Sequence, residues 1–219
     1  MVRARRRSFC ITVSQNGKVE VRVPYYASER AAREFVNSKS EWVEKCLKKN
    51  ADSFFPPKTE SGAEFFIAGR PYTLYFYSGG KPVLSDKNYL YVKISAAREI
   101  DVEREKSKAF FKSAAEIFLP YAEKRTREIA DFLGYEYKSV RVGYAKTRWG
   151  SCGGDNSIIF SVYLGLLPQD LIDYVILHEL THTKVKNHGR DFWLLVCNVM
   201  PDAKEKREKL KKYAPFLSI

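Results

Sequence analysis

The sequence predicts an α+β protein, with a β-rich N-terminal domain over residues 1–100 that contains one helical segment and a largely helical domain over residues 101–219. Three observations predict it. Short alternating apolar and polar stretches fill the first hundred residues, longer stretches with helical spacing fill the rest, and turn residues separate them. With 219 residues, 45% of them hydrophobic, the chain can bury a core in one large domain or two small ones.

A hairpin and a helix are the first predicted elements. Two alternating stretches, residues 8–13 and 18–23, flank Asn16-Gly17, a pair typical of a two-residue hairpin turn. A helical stretch follows from Ser28, a predicted N-cap, to Lys49, with a break near residues 37–40. Three further strands are predicted in a meander-like sheet, at residues 64–67, 72–77 and 89–94.

Helical spacing dominates the second half. A long helix is predicted from Asp101, as N-cap, to Leu133, with Pro120 placed to kink it and Gly134 placed to end it. The elements predicted after it are strands at residues 139–142 and 157–162 and helices at 168–183, at 190–199 and from Pro201 onward.

The segment His178-Glu179-Leu180-Thr181-His182 is an HExxH pattern within a predicted buried helix. Residues four apart share a helix face, so both imidazoles can reach one metal ion while the glutamate lies beside them. His188 is the third candidate ligand, but ten residues of straight helix would place it roughly 15 Å from His178, so the chain must turn back. Zinc proteases with the HExxHxxGxxH pattern make such a turn at the Gly, but Val185 stands at that position here, so we predict a left-handed Asn187, helped by Gly189.

The three histidines of the chain all fall within this window, which favours a metal site over satisfied core histidines. Three neutral imidazoles leave a fourth position for water and suit Zn²⁺ better than Mg²⁺ or Ca²⁺. Glu179 is then predicted to accept the proton of the attacking water. Asp191 is a candidate fourth ligand or acceptor for a ligand imidazole N–H, and Asp173 is a second candidate acceptor. The alternative is a structural zinc, although the four cysteines show no CxxC pair.

The second half of the chain contains five short motifs: TRWGSC at 147–152, DYV at 173–175, HEL at 178–180, NH at 187–188 and FW at 192–193. Together they resemble the YgjP-like family of zinc metallohydrolases, which is similar to the SprT, Spartan and WLM metalloproteases. The resemblance covers nearly the whole chain. It implies a compact zincin-like domain from about residue 101, with His178, His182 and His188 as zinc ligands and Glu179 as the catalytic acid/base.

The zincin fold also implies a strand beside the active helix that pairs with an extended peptide substrate, and we predict residues 158–162 as that edge. Arg148 is a candidate stabiliser of the developing oxyanion, the alternative being a structural ion-pair partner. The weaker candidates of the same kind are Tyr144, Tyr174 and Arg190. Trp149 and Trp193 are expected in the core.

The net charge of +12, from 38 Lys and Arg against 26 Asp and Glu, is typical of a protein with an acidic partner, such as nucleic acid, a nucleotide, an anionic membrane surface or an acidic protein. Simple solubility is the alternative explanation, and the charge alone does not decide between them. The basic cluster from Lys204 to Lys212 has the spacing of a solvated helix face. No apolar stretch is long enough for a membrane span or a signal segment, so we expect a cytoplasmic protein.

Three functions remain open on the sequence alone. The leading hypothesis is a zinc metallopeptidase. The alternatives are a nucleoside triphosphate pyrophosphatase, which would hydrolyse a phosphoanhydride at the same zinc site, and a nucleic-acid binding module with a structural metal.

Overall fold

The structure is a computed structural model that describes residues 2–13, 19–51, 60–79, 88–94 and 102–213. These residues form six α-helices, a 3-10 helix and three small sheets, which confirms the predicted α+β class. They divide into two compact units, the first holding residues 2–51 with 212 and 213, the second residues 60–211. The domain boundary predicted at residue 101 stays a prediction.

The first unit contains the predicted hairpin. β2 (Cys10–Val13) and β3 (Val19–Pro24) pair antiparallel, while the Asn16-Gly17 turn lies outside the described residues. A short strand that was not predicted, β1 (Val2–Ala4), pairs parallel with β3. The helical stretch is broken as expected into α1 (Glu29–Asn37) and α2 (Ser40–Ala51).

Ser28 is the N-cap of α1, as predicted, because its Oγ accepts a hydrogen bond of 3.2 Å from the amide of Ala31. The small core of this unit consists of Val23, Ala27 and Ala32 with Phe9 and Val21 packed against them.

In the second unit, β4 (Glu64–Ile67) and β5 (Arg70–Tyr77) pair antiparallel, and β6 (Tyr89–Lys93) pairs parallel with β5. The predicted meander is therefore wrong for its last strand. The error has a physical reason, since alternation of apolar and polar residues reports which face is buried and not the direction of the strand. The buried face packs on the long helix, where the rings of Phe65 and Phe110 lie 5.0 Å apart.

That helix, α3 (Val102–Leu133), runs continuously through Pro120. It ends where predicted, because Gly134 adopts φ +65° and Tyr135 donates its amide to the carbonyl of Ala130. The predicted N-cap Asp101 lies outside the described residues. The buried face of α3 recurs every three or four residues, at Phe110, Phe111, Ala114, Phe118, Ala122, Thr126 and Ala130.

The third sheet comprises β7 (Ser139–Gly143), β8 (Gly150–Cys152) and β9 (Ser157–Ser161), in the order β7–β9–β8. β9 is parallel to β7 and antiparallel to β8, so the prediction that residues 158–162 form an edge is wrong. β8 is the edge strand instead. Its three residues, Gly-Ser-Cys, carry no apolar alternation by which they could have been predicted as a strand.

A 3-10 helix (Val162–Leu166) leads to α4 (Gln169–Thr181), which is buried on most sides and contacts α3, β8 and α5 (Arg190–Val199). α6 (Ala203–Lys212) follows and buries Ala203 and Leu210. Within the described ranges, no helix has both the length and the apolar character needed to cross a membrane.

Candidate metal centre

Three imidazoles converge beside the C-terminal end of α4. His178 lies on the last turns of α4, and His182 caps the helix with helical backbone angles of −64° and −14°. His188 returns from the following loop, so its Nε2 lies 2.9 Å from Nε2 of His178 and 3.1 Å from Nε2 of His182. The predicted grouping of the three histidines is thus present in the fold, with their ligand atoms all within 4.8 Å of one another.

The loop turns back without a left-handed residue. The amides of Thr183 and Val185 donate to the carbonyls of Leu180 and Thr181, which closes the end of the helix. Asn187 does not have positive φ, so that prediction is wrong, and Gly189 is extended with φ −70°. Asn187 acts through its side chain instead, whose Oδ1 accepts a 3.1 Å hydrogen bond from the amide of Gly189.

The donor set fits a small metal ion. Nδ1 of His182 lies 3.0 Å from the carbonyl of Val185, which can only accept, so Nδ1 carries the proton and Nε2 directs its lone pair into the cluster. Nitrogens at a tetrahedral ion with bonds of about 2.0–2.1 Å are roughly 3.3–3.4 Å apart, close to the separations observed. Burial lowers the pKa of His178 to about 3, which keeps this ring neutral as metal ligation requires.

Glu179 is buried, with 6% of its surface exposed, and it faces β8. A Cβ atom at Gly150 would lie 2.7 Å from Cγ of Glu179 and 2.8 Å from its Oε1, so the absence of a side chain there allows this approach. Burial raises the pKa of Glu179 to about 7, and the charge of Arg148 and the backbone amide of Cys152 oppose the rise. A carboxyl group with this pKa can accept and release a proton near neutral pH.

The histidines and Glu179 open into a cleft of about 590 Å³. β8 forms one wall, with Arg148 and Trp149 just before it, and Trp193 of α5 and Arg207 of α6 form another. Lys186, in the loop after α4, also lines the cleft. Its Nζ donates to the carbonyl of Gly153 at 2.9 Å and to Oδ1 of Asn156 at 2.7 Å. This lysine therefore ties the loop after α4 to the β8–β9 turn.

The structure brings only some of the other candidate residues to the site. Arg148 and Tyr174 line the cleft, whereas Tyr144, Arg190 and Asp191 are exposed and do not. The carboxylate of Asp173 accepts two 2.8 Å hydrogen bonds from Arg125 and so joins α4 to α3, rather than holding an imidazole.

The buried Nδ1 of His178 has no hydrogen-bond partner among the described residues.

Trp149 is buried as expected, and Trp193 is half-buried, but both also line the cleft.

Arg207 also lines the cleft, although it was not among the candidate residues, because the basic cluster around it suggested a solvated helix face. Its guanidinium carbon lies 5.2 Å from the centre of the Trp193 ring. The sequence does carry a signal for this position. Buried Ala203 and Leu210 stand four residues before it and three after it, which places Arg207 on the inward edge of the helix.

Comparisons with known proteins identify the family of the chain. A family model described as "YgjP-like, metallopeptidase domain" matches residues 7–213. No curated protein matches the chain significantly. The crystal structure of the metallopeptidase zymogen of Pyrococcus abyssi abylysin is 24% identical, covers 45% of this chain and 99% of its own, and has a TM-score of 0.41. The crystal structure of the metallopeptidase zymogen of Methanocaldococcus jannaschii jannalysin is also similar, with 24% sequence identity and a TM-score of 0.38. The match covers 42% of this chain and 94% of jannalysin.

Proposed function

The chain belongs to the YgjP-like metallopeptidase family and is a metallohydrolase, and from this premise we propose that it is a zinc-dependent peptidase. In this proposal His178, His182 and His188 hold the ion and Glu179 is the catalytic acid/base. One observation carries it, the convergence of three imidazole Nε2 atoms at 2.9 and 3.1 Å beside a buried carboxylate. Zinc suits three neutral nitrogen ligands, and three such ligands leave a position open for catalysis.

When bound, the ion supplies a Lewis acid that polarises the scissile carbonyl and makes water easier to deprotonate. Glu179 accepts a proton from water as the water oxygen adds to the carbonyl carbon. The same carboxyl group then gives this proton to the amide nitrogen as the C–N bond breaks, leaving a carboxylic acid and an amine. Arg148, whose charge acts on Glu179, can stabilise the negative charge that develops on the carbonyl oxygen.

β8 offers a place for an extended peptide. Trp149 and Gly153 bond to β9 on either side of β8, since the carbonyl of Trp149 accepts from Ser161 and the amide of Gly153 donates to Ser157. In the alternating pattern of an antiparallel pair, the backbone groups of Gly150 and Cys152 then point away from β9, toward the open edge. A peptide that adds to this edge would lie along the cleft with its main chain hydrogen-bonded.

The test is Glu179→Gln in zinc-loaded protein, assayed on unfolded polypeptide, on DNA-bound protein and on nucleoside triphosphates. We expect peptide hydrolysis to fall by roughly 10²–10⁴-fold, because the amide cannot accept the proton, while zinc content stays at the wild-type level. Glu205→Gln, an equal change at an exposed position of α6, is the matched control and should keep full activity.

Unchanged peptide hydrolysis by the Glu179→Gln protein would refute the assigned acid/base. Turnover of nucleoside triphosphates alone would replace the peptidase with a pyrophosphatase at the same site. Zinc binding together with nucleic-acid binding and no turnover of any substrate would leave a binding module with a structural metal.

A further inference from the structure

The walls of the cleft carry an excess of positive charge. Arg148, Lys186 and Arg207 line it, and Glu179 is the one carboxylate among the lining residues. Lys186 is engaged by two oxygen acceptors of the β8–β9 turn. Within the described part of the chain, no ion pair includes Arg148 or Arg207. Among the described residues, neither guanidinium group is therefore held in an ion pair at the cleft.

These two arginines lie in different parts of the site. Arg148 precedes β8, and its charge acts on the carboxyl group of Glu179. Arg207 lies on the side of α5 and α6, where its charge acts on His178 and His188. Arg148 thus lines the cleft on the Glu179 side, whereas Arg207 lines it on the Trp193 side.

Trp193 makes a cation–π contact with Arg207. The guanidinium carbon lies 5.2 Å from the centre of the Trp193 ring, and this ring centre lies 6.3 Å from the ring centres of both His178 and His188. Arg207 is therefore one aromatic ring away from the proposed metal ligands. A guanidinium in a cation–π contact can still donate N–H groups to a carboxylate, and its pairing with an anion is bidentate and directional.

We propose that Arg207 makes the enzyme selective for peptides that carry a carboxylate on the Trp193 side of the metal centre. This inference rests on the proposed peptidase function and specifies its substrate class. An extended peptide rises about 3.4 Å per residue, so the carboxylate would belong to a residue one to three positions from the scissile bond. Either an acidic side chain or the free C-terminal carboxylate of a short peptide supplies the same chemistry.

The experiment uses zinc-loaded full-length protein and quenched fluorescent peptides that differ by Glu or Gln at each of three positions on either side of the scissile bond. A second set compares free and amidated C-termini, which separates the two sources of the carboxylate. We expect one Glu position, or the free C-terminus, to raise kcat/KM by about threefold to tenfold, the range of a partly exposed charged contact. The preference should weaken at high ionic strength.

Arg207→Gln should remove this preference, Arg207→Lys should retain part of it, and Arg207→Glu should reverse it in favour of Lys at the same position. Lys204→Gln is the matched control, because it removes one charge from an exposed position of the same helix that does not line the cleft. A wild-type enzyme indifferent to Glu and Gln, or an equal loss of preference in the Lys204→Gln protein, would overturn the inference.

A readout without turnover separates this inference from the function on which it rests. Glu179→Gln protein, with and without Arg207→Gln, is titrated calorimetrically with the preferred Glu peptide and its Gln counterpart. We expect a threefold to tenfold difference in Kd that disappears with Arg207→Gln. If no peptide is cleaved in a Glu179-dependent manner, the peptidase proposal fails, whereas equal Kd values for the two peptides contradict the role of Arg207 alone.

Discussion

Gly150 determines how closely the carboxylate of Glu179 approaches β8. An added Cβ would lie 2.7 Å from Cγ of Glu179, so Gly150→Ala should push the proposed catalytic carboxyl group away from its present position. A displacement of about 1 Å in a catalytic group can lower the rate by roughly a hundredfold. We expect kcat/KM for peptide cleavage to fall about tenfold to a hundredfold, with zinc content unchanged by metal analysis.

Gly154→Ala is the control for that substitution. Gly154 lies in the β8–β9 turn, and a Cβ there would meet no atom within 4 Å, so activity should stay at the wild-type level. Wild-type kcat/KM in the Gly150→Ala protein would show that the close approach is unnecessary for catalysis.

At the residue scale, the sequence could predict that His178, Glu179 and His182 lie together because HExxH specifies a spacing on a single helix. His188 was a candidate through its offset from that motif, although its turn was predicted wrongly. The sequence could not predict Gly150 or Arg207. Both residues matter through contacts between elements that are distant in the sequence. The apolar residues Ala203 and Leu210 indicate the face of α6 on which Arg207 lies, but they do not indicate which element that face meets.

At the scale of elements, α3 and the 3-10 helix pack closely at Gly165. A Cβ at Gly165 would lie 2.6 Å from Cγ of Phe118, a side chain that is fully buried and cannot move aside. The carbonyl of Gly165 also accepts a 2.7 Å hydrogen bond from the amide of Ala68, so the backbone is held from the other side. Gly165→Ala should therefore lower the free energy of unfolding by about 1–3 kcal/mol through overpacking.

Urea unfolding followed by tryptophan fluorescence measures this loss, with Gly154→Ala again as the unstrained comparison. An unfolding midpoint for Gly165→Ala equal to that of wild type would mean that Phe118 can repack. Zinc content should remain normal in folded protein, because neither residue touches the histidines.

Element type followed from the sequence more readily than element pairing. The long periodic helices α3 and α4 and the Ser28 cap were predictable because their signals are local. The parallel pairing of β6 and the central place of β9 were not, because pairing depends on which buried faces meet in the folded chain. β8 is a strand because it pairs with β9, and its own three residues carry no strand signal.

At the scale of the whole molecule, the structure shows where part of the net charge of +12 lies. Some of the positive charge lies on helix faces, where Arg30, Arg33, Lys206 and Lys211 pair with neighbouring Glu and Asp. The part that concerns function is the small group of cations lining the cleft around a single carboxylate. The overall charge favours acidic partners in general, whereas the cleft favours a carboxylate at a defined place.

Metal binding should couple the candidate site to the stability of the whole second unit. The three ligands come from α4, from its C-cap and from the loop before α5, so an ion that binds them joins segments that separate on unfolding. At a free zinc concentration about a hundred times Kd, binding contributes about 2.7 kcal/mol, or a rise in Tm of about 5–10 °C. Chelation by EDTA should reverse this rise in a thermal scan.

His188→Ala should abolish most of the zinc-dependent rise in Tm, because two imidazoles remain and the exposed side of the site is open. Asp191→Ala tests the fourth-ligand hypothesis in the same scan. Since Asp191 is exposed and does not line the cleft, its loss should leave the rise intact. A normal rise with His188→Ala would remove His188 from the ligand set, and a lost rise with Asp191→Ala would make Asp191 a ligand, because each substitution removes one candidate ligand from an otherwise unchanged chain.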